Sequence, residues 1–301
     1  MVHILNLLTG KEKEMGLTPF SGRNRQSLEL IRSLIDDQGL IQLLLVLAKA
    51  KPAARISVDY KLTQAMMKIL SSLGMFPCAS QFYVKTLGLR GAGYTCSVSR
   101  KRSKGYDTVF IYFSYDQKIS EILRDSDARD DDREFGKLLG YPACCVKEYI
   151  RQRSVKPLDY SLACFIKPTL KPWPYLNNAF LWVYSQKIID HFPCRLDCPR
   201  SLEIDRNFIK VLQKWDPLYT DFQKTQLKSL VLCSGAGAII YSTKYRKTGR
   251  GLIVEEIRGD RDDPLYKAIK QKGILRIASP GTVVIGDVEL VWPEIGAAIF
   301  K

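Results

Sequence analysis

The chain has 301 residues, 46% hydrophobic and 26% charged, a balance that supports a full core and excludes an intrinsically disordered chain. Its formal net charge of +15 raises a nucleic acid or another anionic partner, although the excess is spread along the chain. The longest apolar run, residues 40–48, is broken by Gln42 and is about half the length of a membrane span, so no membrane segment is expected.

In chain order, Leu28, Leu30, Ile31, Leu34 and Ile35 stand at helical spacing within residues 27–49, with Gly39 as a break. Asp59 is placed to cap a second helix over 60–73, which Gly74 ends. Residues 81–85 read as a strand. Residues 94–99 and 108–115 read as the two strands of a hairpin, with Arg100, Lys101, Arg102 and Lys104 at its solvated tip. Asp125, Asp127, Asp130, Asp131 and Asp132 follow as a charged helix, a loop and the start of another helix, and read as a solvated face. Gly140 ends that helix. Pro142 opens the next at its first position, where a missing N–H matters least. Pro157, Pro168, Pro172 and Pro174 make residues 156–174 a connector. Residues 176–190 read as a helix, 191–197 as a turn and 199–215 as a helix.

From residue 227 the pattern changes to short β-rich runs, at 230–233, 238–243, 252–257, 274–277, 282–285 and 288–292, with one helix at 264–270 between them. Gly286-Asp287 is a two-residue hairpin signal. The turn Gly235-Ala236-Gly237 runs into a strand-like segment and not a helix, so it does not read as a phosphate loop. The expected class is α+β: an N-terminal α/β part (1–120), a central helical region with clustered cysteines (121–226), and a C-terminal small β-sheet or barrel module (227–301).

Eight cysteines are many for a chain whose first residues lack the basic start of a secretory leader. A cytoplasmic protein keeps thiols for metals, catalysis or burial, not for disulfides. Cys78, Cys96, Cys164 and Cys233 lie singly among apolar neighbours and read as small hydrophobes. The others are paired. Cys144 and Cys145 follow Pro142, and Cys198 precedes Pro199, so both pairs fall at proline-led helix starts. There the backbone N–H groups and the positive end of the helix dipole favour a thiolate.

Thiolates suit soft metals, and four sulfurs complete either a zinc site or an iron–sulfur cluster. Neighbours on a helix diverge by about 100° around its axis, so three cysteines with His191 are as plausible a ligand set as four cysteines. His191 is also a candidate catalytic base, or a cap on the preceding helix. The spacing Cys194-x3-Cys198-x2-Ser201 is that of radical S-adenosylmethionine enzymes, but a serine holds the third position and the assignment is not adopted.

These two motifs, Leu-Leu-Gly-Tyr-Pro-x-Cys-Cys-Val over residues 138–146 and His-x-Pro-Cys-x3-Cys-x2-Ser over 191–201, resemble those of a family of uncharacterised bacterial and archaeal proteins. The resemblance covers about residues 120–215. It marks Gly140, Tyr141, Pro142, Cys144, Cys145, His191, Pro193, Cys194, Cys198 and Ser201, and implies no activity. Asn177 and Asn178, ahead of His191, join Tyr141 and Ser201 as polar groups expected to face the site. The leading expectation is thus a zinc or iron–sulfur protein. The alternatives are a basic nucleic-acid-associated protein and a metal-free thiol oxidoreductase using the vicinal pair.

Overall fold

The computed structural model describes residues 31, 34–86, 96–153, 171–184, 188–234, 239–248, 251–259, 261–279, 281–291 and 295–301. The start of the first expected helix, most of the 156–174 connector with Cys164, and Gly235 to Gly237 lie outside the described residues, as does the side chain of Cys96. The chain divides into two compact units, one built from Met1–Thr86, Cys96–Lys147 and Glu203–Phe222, the other from Leu87–Thr95, Glu148–Leu202 and Gln223–Lys301. As expected, the structure is α+β, with N-terminal α/β structure, central helices carrying the clustered cysteines and a curled C-terminal sheet.

The first unit is built on a five-stranded sheet. Its strands are β1 (Ala53–Asp59), β2 (Phe76–Ala79), β3 (Tyr83–Thr86), β4 (Cys96–Ser99) and β5 (Thr108–Ser114), in the order β1-β5-β3-β4 with β2 also on β5. The expected hairpin between residues 94–99 and 108–115 does not form: β4 pairs with β3, and β5 pairs with β1, β2 and β3. The lack of alternation explains the choice. Every residue of β5 after Thr108 is buried, so it needs neighbours on both edges and takes the central position.

Helix α1 (Asp37–Leu47) is capped by Asp36, whose Oδ1 accepts from Gly39 N at 2.8 Å. Asp59 caps a short 3-10 turn, Tyr60–Leu62, that leads into α2 (Thr63–Ser72); the expected cap is there, one turn ahead of the helix proper. Leu43 and Val46 of α1 and Met66 and Leu70 of α2 pack with Ile56, Ile111 and Phe113 of the sheet into one buried core.

The acidic segment is less solvated than its composition suggests. It forms α3 (Gln117–Ala128) and α4 (Asp132–Leu138). Asp131 caps α4 through Glu134 N, and Asp127 reaches back to the sheet, where Arg55 Nη1 donates to both its oxygens at 2.9 and 3.1 Å. Tyr112 O–H donates to the same carboxylate, and the Arg55 guanidinium lies 4.3 Å from the Phe110 ring centre. Burial, then the adjacent Asp127 charge, pushes the Tyr112 phenol far above its ordinary range.

A phenol that resists ionisation only when folded stabilises fully below the unfolded value of about 10 and loses that stabilisation as pH rises further. Unfolding free energy measured in urea should therefore fall above pH 10, with Tyr112 contributing a slope of about 1.4 kcal/mol per pH unit. In Tyr112→Phe that part of the slope should disappear. An identical alkaline slope in the variant would contradict the assignment.

Helix α5 (Ala143–Arg153) follows α4 through a tight turn. Gly140 adopts a left-handed φ of +78°, and a Cβ there would meet Pro52 Cδ at 3.0 Å. Gly136 lets the helices touch: a Cβ on it would stand 2.6 Å from Val146 Cγ2. Gly136→Ala should accordingly cost about 1–3 kcal/mol of stability, read as a lower urea midpoint at unchanged slope. A variant as stable as the parent would mean that Val146 yields without strain.

The second unit is built on an eight-stranded curled sheet in the order β12-β11-β10-β9-β8-β7-β13-β6. Its strands are β6 (Pro172–Trp173), β7 (Leu230–Ser234), β8 (Ile239–Thr248), β9 (Gly251–Arg258), β10 (Ile274–Ser279), β11 (Thr282–Ile285), β12 (Val288–Val291) and β13 (Ile295–Phe300). All neighbours are antiparallel except β13 and β6. Ile285 pairs with Val288 across Gly286-Asp287, the two-residue turn expected there, with Gly286 at φ +61°. One helix of this unit (Pro264–Lys272) is capped by Asp263, ends at left-handed Gly273 and buries Leu265, Tyr266 and Ile269 against the sheet.

Residues 176–190 do not form the single helix expected. Two short 3-10 segments, Tyr175–Asn177 and Ala179–Tyr184, stand there instead. The interruption is at Asn178, with ψ 80°, whose amide donates to Leu227 O at 2.8 Å and Ser229 Oγ at 3.2 Å. Asparagine gains partners off the helical path that an apolar residue would not. Two further helices, Pro199–Trp215 and Pro217–Leu227, complete the described helices.

Candidate metal centre

Helix α5 begins at Ala143, one residue later than its proline suggests. Pro142 O accepts from Cys145 N and Val146 N, which makes Pro142 the cap and puts Cys144 and Cys145 in the first turn. Cys198 O accepts from Leu202 N at 3.0 Å, so Cys198 caps the helix that starts at Pro199, as its position predicts. Both cysteine-bearing stretches thus present sulfur near helix N-termini.

The sulfurs converge. Each Sγ of Cys144, Cys145, Cys194 and Cys198 lies within 4.8 Å of the other three, and Cys145 and Cys198 are buried. The adjacent pair, expected to diverge, has its sulfurs 3.9 Å apart. The 100° between neighbours fixes where Cβ atoms point, not where Sγ atoms end. In the first turn no preceding turn restricts χ1, so both sulfurs are free to rotate toward one centre.

The loop bearing Cys194 and Cys198 is held from behind. Asn177, fully buried, donates its side-chain amide to Leu196 O at 3.0 Å and approaches Cys198 O at 3.5 Å. A turn closes from Arg195 O to Cys198 N at 3.0 Å, and Arg195 Nε pairs with Asp197 at 3.0 Å on the exposed side. His191 Nε2 and Ser201 Oγ, both buried, share a hydrogen bond of 2.9 Å, which links the start of the loop to the helix after it. The Phe192 ring lies parallel to that of Tyr149 on α5, 6.2 Å between centres. This stacking went unread in the sequence; its only signal is an aromatic residue next to each cysteine-bearing stretch.

The structure brings the four paired cysteines together as one possible metal-binding group, of which His191 is not a member. Tyr141 packs its ring under Lys51 Nζ, 5.4 Å from the ring centre, and beside Gly136 in the core of the first unit. The amide of Asn178 is committed to Leu227 and Ser229. Of the scattered cysteines, Cys233 is buried and its thiol is pushed up to about 12 by that burial. Cys78 donates to Ser120 O at 3.2 Å, and burial raises its thiol to about 11. At neutral pH both remain thiols, as small core residues do.

Residues 111–226 match the family model described as a protein of unknown function, DUF483. The match takes in all four clustered cysteines, Asn177, His191 and Ser201, and its description names no activity. No curated protein and no solved structure matches the chain. Among the described residues, no helix is long and apolar enough to cross a membrane.

Proposed function

We propose that Cys144, Cys145, Cys194 and Cys198 hold a single zinc ion in a closed, structural tetrathiolate site. The observation that carries this reading is the mutual approach of the four sulfurs to within 4.8 Å. Sulfurs at about 2.3 Å from one ion stand about 3.8 Å apart along the edges of a tetrahedron, close to the 3.9 Å between Cys144 and Cys145. In a cluster the four thiolates are divided among two or more irons and the sulfurs on different irons are spread farther, so four sulfurs all within 4.8 Å of one another favour one ion. Four protein ligands leave zinc no open position, which argues for a structural site and not a hydrolytic one. On this reading His191, Ser201 and Asn177 orient the ligand loop. Thiolate ligands must stay reduced, which on this reading suits a cytoplasmic setting.

Metal analysis of protein purified without chelator tests the proposal. About one equivalent of zinc per chain, with no visible absorption, is expected. Less than a tenth of an equivalent of any metal would overturn it. A brown protein with several irons and acid-labile sulfide would replace the ion with a cluster.

A further inference from the structure

The first unit carries a second feature that the metal site does not use. Because β4 pairs with β3 and not with β5, the basic segment Arg100–Lys104 is not a free hairpin tip. It crosses over β3 and is laid against residues far from it in sequence. Arg102 stacks its guanidinium 4.6 Å from the ring centre of Tyr60 and reaches Asp107 at 3.5 Å. Tyr60 meets Tyr83 edge to face at 5.5 Å between centres. Tyr60 N donates to Asp107 O at 2.7 Å, closing the crossover onto the turn after β1. The stem of Lys85 lies under Gly105, whose missing Cβ would stand 3.3 Å from Lys85 Cε.

Cations flank these rings along the chain: Lys61 follows Tyr60, Lys85 lies two residues beyond Tyr83 on β3, and Arg100, Lys101, Arg102 and Lys104 follow Ser99, which pairs with Tyr83. Only Asp59 and Asp107 offset these charges among the named neighbours, and Asp59 is engaged in capping Lys61 N. Tyr60, a large aromatic, is 40% exposed. Fold stability alone gives no reason to concentrate cations around an exposed ring.

We infer that this face binds single-stranded nucleic acid. The cations neutralise backbone phosphates, and the Arg102–Tyr60 stack offers a flat guanidinium and ring against which an unpaired base can stack. A duplex hides its base faces and could use only the cations. The chain's net charge of +15 adds long-range attraction for the same polyanion.

Fluorescence anisotropy with labelled 12-nucleotide oligouridine, oligothymidine and a 12-base-pair duplex tests this on the full chain. Binding of a single strand should weaken with salt. Replacing Arg100, Lys101, Arg102 and Lys104 together by Gln should weaken binding more than tenfold and reduce the log–log salt slope by up to about 3, at about 0.7 for each lost phosphate contact. Tyr60→Ala should lose about tenfold at constant salt. The four replaced cations are exposed, so circular dichroism, melting temperature and metal content of that variant should match the parent, and Tyr60→Ala should keep its metal, which separates this result from any failure of the metal site. Absence of single-strand binding at low salt, equal binding of duplex, or wild-type affinity in both variants would overturn the inference. A fall in affinity with the charges but not with Tyr60 would also overturn it, because it would reduce the face to a general cation patch.

Discussion

Cys198→Ser is expected to lose the bound metal, from about one equivalent per chain to less than a tenth, and to melt about 10 °C lower. Cys198 is buried at a helix cap, and its sulfur stands within 4.8 Å of three others. A structural zinc contributes binding free energy directly to folding, by roughly 10–16 kcal/mol in isolated small domains. If about 6 kcal/mol of that is expressed here, the melting point shifts by about 10 °C for a chain of this size. Cys145→Ser should behave alike. Cys233→Ala is the control: it too removes a buried cysteine, but one outside the group, and it should keep its metal. Equal metal content in Cys198→Ser and Cys233→Ala would show that the four sulfurs are neighbours without a shared ion. The same treatment of the parent with a strong chelator should reproduce the lower melting point, and added zinc should restore it.

The second large effect is expected at a residue that touches no metal. Asn177→Ala removes the amide that donates to Leu196 O, midway between Cys194 and Cys198. The loop then loses its anchor and the half-buried carbonyl loses its donor. Metal affinity, measured by competition with a coloured chelator, should fall about 10- to 100-fold, as when groups orienting ligands are removed. Asn177→Asp keeps the shape but faces the carbonyl with an acceptor, so it should not rescue. A melting point lowered in Asn177→Ala at unchanged metal affinity would leave the side chain a purely structural role.

The cysteine site was legible in the sequence for a local reason. Pro142 and Pro199 each fix a helix start, and a cysteine beside a helix start is chemically distinct from one in a core. What the sequence did not contain was the side-chain torsions, so a rule about Cβ directions suggested divergence where the sulfurs of Cys144 and Cys145 meet. Pairing was harder to read than strand existence. β5 was visible as a run of β-branched and aromatic residues, yet its main partners are β1, at residues 53–59, and β2, at 76–79, with β3 meeting it at Thr108, in keeping with burial on both faces. β1 starts with Ala53 and Ala54, and β13 carries Gly296, Ala297 and Ala298. These small residues have weak strand preference, and both strands were missed because tertiary burial overrides that preference. The break at Asn178 was hidden for the same reason, since its partners, Leu227 and Ser229, are some fifty residues away.

X-ray absorption at the zinc edge, on protein purified without added metal, addresses the central claim most directly. The expected spectrum has one shell of four sulfurs at about 2.3 Å and no metal–metal scattering. A shell containing nitrogen or oxygen at about 2.0 Å in place of sulfur, or no zinc to measure, would contradict a tetrathiolate ion at these four cysteines.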